Sequence, residues 1–188
     1  MNNNSNKQVI LALIENAWQL RRSQLHNDAE KLLAKALMIS EQQALDPLTI
    51  NIWIKQAHLA MDKHLSDKAL SLINKALELS RLKKLSWEEA HSLKHLGDAY
   101  RQNGALDQAK QSYLDSLAIY RQSISANSVH TANCLRALAL LYQDSGENKL
   151  ATEHWSQAST LYQRFGVTEG VKECDEKINQ LKRKKHSP

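Results

Sequence analysis

Cysteine, glycine and long apolar runs are all scarce in this sequence, and each scarcity removes a class of protein. The two cysteines, Cys134 and Cys174, lie 40 residues apart, too few and too far apart for the disulfide framework of a small secreted scaffold. The expectation is a reducing, cytoplasmic setting with both thiols buried and free, a disulfide being the alternative if geometry allows it. The five glycines, Gly97, Gly104, Gly146, Gly166 and Gly170, form no phosphate-cradling loop, and no GxSxG, HExxH or Cys-x-x-Cys pattern occurs. That argues against an enzyme and implies no cofactor. No stretch approaches the ~20 apolar residues of a membrane span. The N-terminal apolar run from Val9 to Ile14 is broken by Glu15, with no small-residue cleavage site after it, and reads as the start of an amphipathic helix.

What is present is ordinary for a folded domain: 188 residues, 42% hydrophobic, with a net charge of +5. Lys182, Arg183, Lys184 and Lys185 supply four of those charges in one run, so the body of the chain is near neutral. This basic tail, 182–188, could reach nucleic acid or an acidic surface. It lacks interleaved aromatics, so nucleic acid is the minor reading.

The chain repeats itself. Shifting by 42 residues places Leu93, Leu96, Gly97, Tyr100, Gly104, Ala109, Tyr113 and Tyr120 on Leu135, Leu138, Ala139, Tyr142, Gly146, Ala151, Trp155 and Tyr162. Shifting back by 40, twice, places Ala109 and Ser116 on Ala69 and Ala76, then on Ala29 and Ala36. Each of these segments carries a small residue, then another seven later, with Ala151 and Ala158 closing the series; that is one stripe of a helix at two-turn spacing. A second helical pattern ending in polar or glycine-bearing turn residues precedes each, so the unit is a helix hairpin. Asp46 before Pro47 and Ser86 three residues before Glu89 read as helix caps, and Asn127 or Ser128 caps the seventh helix.

The spacing predicts helices near 6–23, 27–43, 47–62, 66–83, 87–102, 106–124, 128–144 and 148–164, grouped as repeats 6–45, 46–85, 86–126 and 127–166. Past Gly166, the residues Val167, Val171, Cys174, Ile178 and Leu181 fall on one stripe, a polar-backed capping helix over 167–182. Stacked hairpins bury faces that none can bury alone, and Gly97, Ala109, Ser116, Ala139 and their counterparts are the points where bulk would push helices apart.

The stretch from Leu93 to Tyr113 resembles the tetratricopeptide repeat: Leu93, Leu96, Gly97, Tyr100, Ala109 and Tyr113 stand where that family carries its pattern, and Trp53 stands at its leading tryptophan in the second repeat. Spacings of 40 and 42 rather than 34, without the closing proline, resemble the extended subclass of kinesin light chains and bacterial regulators. Repeat 1 matches least, with Asn16 in place of leucine and Leu20 in place of tyrosine. The resemblance implies an all-α, right-handed α-α superhelix (solenoid) of four hairpins plus a capping helix, running through 1–188. It also implies a protein-interaction scaffold that binds along a concave groove lined by the first helix of each hairpin.

Mapping that groove gives Leu11, Ile14, Trp18 and Arg22, then Asn51, Ile54, Lys55, His58 and Met61. It continues with His91, Lys94, His95, Asp98, Arg101 and Gln102, and ends with Asn133, Arg136, Leu140 and Gln143. An apolar N-terminal end followed by a basic-polar stretch implies a protein or peptide partner with hydrophobic anchors and acidic groups. The lysines, asparagines and arginine of the chaperone-tail clamp are replaced by Ile14, Trp18, Lys55, His91 and His95, and the paired asparagines of the light chains by Lys94, His95, Arg136 and Ala137. Neither mode transfers. The weak metal candidate is His58, His91, His95 and Asp98, against a solvated polar face as the preferred reading; no metal is expected. Self-association as a homodimeric structural or regulatory subunit, and nucleic-acid contact through the tail, stand as alternatives to partner binding.

Overall fold

A computed structural model describes residues 3–122 and 128–184. All described secondary structure is helical: α1 (Asn3–Arg22), α2 (His26–Gln42), α3 (Asp46–Asp62), α4 (Ser66–Leu82), α5 (Ser86–Gln102), α6 (Leu106–Gln122), α7 (Val129–Asp144), α8 (Asn148–Arg164) and α9 (Thr168–Lys184). The expected helix ends fall within a few residues of these, except that 123 and 124 lie outside the described residues, as does Asn127. Among the described residues, no helix is long and apolar enough to cross a membrane.

One turn joins almost every pair of successive helices. In the α1–α2 turn, Leu25 N–H donates to Leu20 C=O and Gln24 N–H to Arg21 C=O, while Gln24 takes a φ of 64°. This is the Schellman closure, in which one left-handed residue satisfies the last carbonyls of the helix. The same paired bonds recur around Ala44, His64, Lys84, Gly104, Gly146 and Gly166, all with positive φ. The residue after each left-handed position (Leu25, Leu45 or Leu65, for example) then starts the next helix through its own carbonyl, as Leu25 C=O accepts from Ala29 N–H. A 17-residue helix and a three-residue turn thus make a 20-residue half-repeat, the physical origin of the 40-residue period.

That turn overrides two expected caps. Leu45, not Asp46, precedes the first helical residue of α3, and no side chain caps it; the Asp46 carboxylate instead pairs with Lys83 at 2.9 Å. Ser86 is already helical, Glu89 N–H donates to Leu85 C=O, and the Glu89 carboxylate accepts from Arg81 Nε at 2.9 Å. Ser128 does cap α7, its hydroxyl accepting from Thr131 N–H at 3.3 Å.

The chain divides into two units, Met1–Ala99 and Tyr100–Pro188, with the division inside α5. In the first, α1 packs on α2 and α3, α2 on α3, and α3 on α4. Ile10, Ile14, Ala17, Ala29, Leu33, Ala36, Ile52 and Leu59 form one core cluster, and Ile50, Ile54 and Ala76 another. In the second unit, α6 packs on α7, α7 on α8 and α8 on α9. Trp155, Tyr113, Tyr120, Leu138 and Leu141 are its largest fully buried side chains.

The small repeat positions Ala29, Ala36, Ala69, Ala76, Ala109, Ser116, Ala139, Ala151 and Ala158 have no solvent exposure, and Gly97 is buried. Helix α9 covers α8 with Cys174 and Leu181 buried. It continues through Lys182 and Arg183 to Lys184, so the first residues of the expected tail are helical; 185–188 lie outside the described residues. A methyl group added at Gly170 would meet the Tyr162 ring at 2.7 Å, a close approach the sequence reading did not single out.

Candidate functional site: the first-helix face of the N-terminal unit

The groove residues expected from α1, α3 and α5 recur at three- and four-residue spacings, which places each set along one side of its helix. The structure splits them into two groups. Ile14 is 8% exposed and Ile54 1%, and both sit inside core clusters. They are removed from any surface, which corrects their assignment to the groove. Leu11 is 45% exposed, while Trp18, Asn51, Lys55, His58, Met61, His91, Lys94, His95 and Asp98 are half-buried.

The half-buried group forms a continuous row of rings across three helices. Trp18 on α1 meets His58 on α3 edge to face with centroids 5.5 Å apart, and His58 meets His95 on α5 at 4.7 Å. His95 meets His91 at 4.6 Å, and His91 stacks on Trp87 at 5.0 Å with planes 15° apart. Edge-to-face and offset packing are the favoured geometries of such rings. Trp87, 41% exposed, was not among the expected residues, although its four-residue spacing from His91 would have placed it on the same face.

Cations gather at the Trp18 end. Lys55 Nζ lies 3.9 Å from the Trp18 ring centroid and the Arg21 guanidinium 4.4 Å, both within cation–π range. Arg21 also makes a two-pronged bond to Asp62, with N···O distances of 2.5 and 2.8 Å. Arg22, the residue expected in its place, is exposed and pairs with Glu15 at 3.6 Å. At the other end, Asp98 accepts from Lys94 Nζ at 2.7 Å and lies 3.1 Å from His95 Nδ1. Against an ionised carboxylate, that ring nitrogen must carry the proton and donate it.

The electrostatics follow from burial. Burial pushes His58 down to about 4, with Asp98 opposing and Lys94, Arg21 and Lys55 adding to the effect. Burial also holds His95 well below the usual imidazole range, reinforced by Lys94 and opposed by its bond to Asp98. For Asp98, burial works against ionisation, but Lys94 and His95 outweigh it and keep the carboxyl well below the usual carboxylate range. Burial lowers Lys55 as well, with Arg21 and Lys94 in the same direction and Glu15 opposing.

The histidines are therefore not a solvated polar face: the His95 side chain is 12% exposed and that of Asp98 19%. Nor do their nitrogens converge. Among the described residues, no group of three His, Cys, Asp or Glu side chains is arranged to hold a metal ion.

The expected groove residues of the second unit are largely engaged within it. Arg101 donates to Asp144 at 2.8 Å. Asn133 accepts from the Tyr162 hydroxyl at 2.6 Å, and Arg136 makes a double bond-pair to Glu173 on α9 at 2.7 and 2.6 Å. Leu140 and Gln143 are half-buried and Gln102 exposed. Cys134 and Cys174 are both buried thiols, not joined in a disulfide. The Cys134 thiol donates to Tyr113 C=O at 3.3 Å, and burial pushes the Cys174 thiol up to about 11.

Comparison with known proteins bears on this arrangement. No curated protein matches the chain. Among solved structures it is similar to BtubC (BKLC) from P. vanneervenii, with 15% identity over 98% of this chain and 91% of that one and a TM-score of 0.66. It is also similar to the nearly identical TPR-like repeats of a Podosopora anserina protein described as a kinesin light chain, with 16% identity, 95% and 97% coverage and a TM-score of 0.65. The apo form of RapI gives a TM-score of 0.73 at 15% identity over 89% of this chain and 60% of that one. These likenesses show an all-α superhelical repeat fold. The family model of the tetratricopeptide repeat matches residues 48–122 and 88–164, and this chain belongs to the tetratricopeptide repeat family.

Proposed function

We propose that this protein is a non-catalytic, cytoplasmic interaction module that binds a peptide or protein segment along the face made by α1, α3 and α5. Tetratricopeptide repeats support protein–protein interaction generally; the choice of face is specific to this chain. The observation that carries it is the ring row from Trp18 through His58, His95 and His91, all half-buried, to the exposed Trp87, along one side of three helices. Aromatic side chains that are partly open and held rigid by their neighbours are the usual anchors of protein interfaces.

The test is affinity capture with the wild-type protein, Trp18→Ala and, as a control in the second unit, Gln111→Ala, whose parent side chain is exposed on α6. A partner held by wild type and the control but lost by a folded Trp18→Ala supports the reading. Equal capture by all three overturns it. Light scattering on the same samples covers self-association: a wild-type dimer that Trp18→Ala turns into a monomer would assign the face to a second copy of the chain.

A further inference from the structure

The cations of the first helices differ in one respect. Among those that are at least half-buried, Arg21 holds Asp62, Lys94 holds Asp98, Arg101 holds Asp144 and Arg136 holds Glu173. Among the described residues, Lys55 has no carboxylate within ion-pair distance. Its ammonium rests on the Trp18 face at 3.9 Å, and Glu15, which acts on it electrostatically, is bonded to Gln19 and paired with Arg22. A ring face satisfies an ammonium by electrostatic attraction but takes none of its three N–H donors as an oxygen would. A half-buried cation without a counter-charge is a cost to the folded chain, and it is removed when an anion arrives.

We propose that Lys55 is the docking point for a side-chain carboxylate, from Asp or Glu, carried by the segment that lies along the α1–α3–α5 face; this rests on the interaction reading above. The neighbours set the charge preference. Around Trp18 and His58 stand Arg21, Lys55 and Lys94 against Asp62 and Asp98, and His58 and His95 are neutral at pH 7 because burial holds them below the usual imidazole range. The residual charge is positive and belongs to Lys55. The depressed protonation of Lys55, caused by burial and then by Arg21 and Lys94, has the sign expected of a site short of one anion. A single ammonium, with Arg21 and Lys94 already committed, offers one contact point rather than the converging donors that would enclose a chain terminus. A side-chain carboxylate projecting from a segment anchored on the adjacent rings fits that supply.

The test uses the full chain and three N-acetylated probe peptides, read by the Trp18 indole N–H signal in NMR and by titration. The probes are a Glu-Ala repeat with an amidated end, the Gln-Ala repeat of equal length, and the Gln-Ala repeat with a free C-terminal carboxylate. The Glu peptide is expected to bind about tenfold more tightly than the amidated Gln peptide and to shift the Trp18 signal. Lys55→Met abolishes that preference, Lys55→Arg retains most of it, and Lys110→Met on α6 leaves it intact. Equal binding of the Glu and amidated Gln peptides, or a preference that survives in folded Lys55→Met and Lys55→Gln, overturns the proposal. So does binding of the free-terminus Gln peptide as tight as that of the Glu peptide. The two readings also fail differently: a partner lost by Trp18→Ala but kept by Lys55→Met keeps the face and removes the carboxylate, and a partner kept by both removes both.

Discussion

Acidification between pH 7.5 and pH 5 is expected to destabilise the N-terminal unit, and His58 sets the magnitude. In the unfolded chain its imidazole gains a proton near pH 6.5, whereas in the folded chain burial lowers that point to about 4. Between those values the unfolded state binds more protons than the native state, so stability falls as pH falls. Above pH 6.5 both states are neutral and nothing is lost; below about 4 both are charged and the loss is complete. At pH 5 the difference for His58 alone is about 2 kcal/mol relative to pH 7.5. His95 is displaced in the same direction by burial and adds to it. A loss of this size is a large fraction of the ~5–15 kcal/mol that holds a domain folded.

The carboxylates do not confuse that window. Asp62, Asp98 and Glu30 are lowered in the folded state, so the stability they contribute is present above the unfolded carboxylate value and is lost only as pH drops below about 4. The assay is urea unfolding at pH 7.5, 6 and 5, followed by tryptophan fluorescence. Trp18, Trp53 and Trp87 lie in the first unit and Trp155 in the second, so the signal weights the unit in question. His58→Phe keeps a ring in the row and removes the titration, and should lose about 2 kcal/mol less than wild type over the same interval. A wild-type stability that is flat from pH 7.5 to 5, or an equal loss in both proteins, refutes the argument that buried neutral imidazoles hold this face together.

Three further outcomes test the fold. Ala44 is exposed and held at a φ of 49°, a conformation that costs a residue with a Cβ about 1–2 kcal/mol; after the entropy of glycine in the unfolded chain is subtracted, Ala44→Gly should stabilise by roughly 0.5–1 kcal/mol. Gly104→Ala, at a φ of 75° with nothing within 4 Å of the added carbon, should destabilise by about 0.5–1 kcal/mol by the same balance; urea midpoints moving the other way would remove the Schellman account. Gly170→Ala should lower the melting temperature despite the higher helix propensity of alanine, because its methyl group would meet the Tyr162 ring at 2.7 Å and that ring is held by its hydroxyl bond to Asn133. The overpacking cost is about 1–3 kcal/mol against a propensity gain of about 1, and a stabilised variant would show that the ring is free to move.

The helices were legible because their punctuation is periodic, and the small positions because a two-turn spacing admits few other readings. The turn chemistry was legible only in part. Gly104, Gly146 and Gly166 mark left-handed residues, but Gln24, Ala44, His64 and Lys84 adopt the same conformation without a sequence signal, carried there by the paired backbone bonds. The groove residues failed where helices are buried on more than one side. Helix α3 buries Thr49, Ile50, Ile52, Ile54, Ala57, Leu59 and Ala60, a set that spans most of its circumference, so spacing alone could not say which side Ile54 takes. Arg21 and Arg22 differ by one residue, or about 100° around the helix, and only the position of Asp62 decides between them. The ion pairs that join helices 37 to 43 residues apart carry no local pattern at all.

The choice of side chains on the α1–α3–α5 face follows from what each alternative would do. Leucines at His58, His91 and His95 would pack the helices but leave a greasy surface without direction, and lysines there would repel Lys55, Lys94 and Arg21. Neutral imidazoles fill the same gaps edge to face, and through Nδ1 of His95 they bind Asp98, which fixes Lys94 in turn. Among the described residues, Arg21 and Lys94 are each spent on an internal carboxylate and Lys55 is not, so under the proposed reading a charge on a partner can lower the energy at Lys55 without displacing a bond already made. Stability and the proposed recognition on this face therefore draw on the same rings, so a substitution that removes a ring, as Trp18→Ala does, informs about recognition only once the variant is shown to be folded, whereas His58→Phe keeps a ring in place and Lys55→Met leaves every ring of the row.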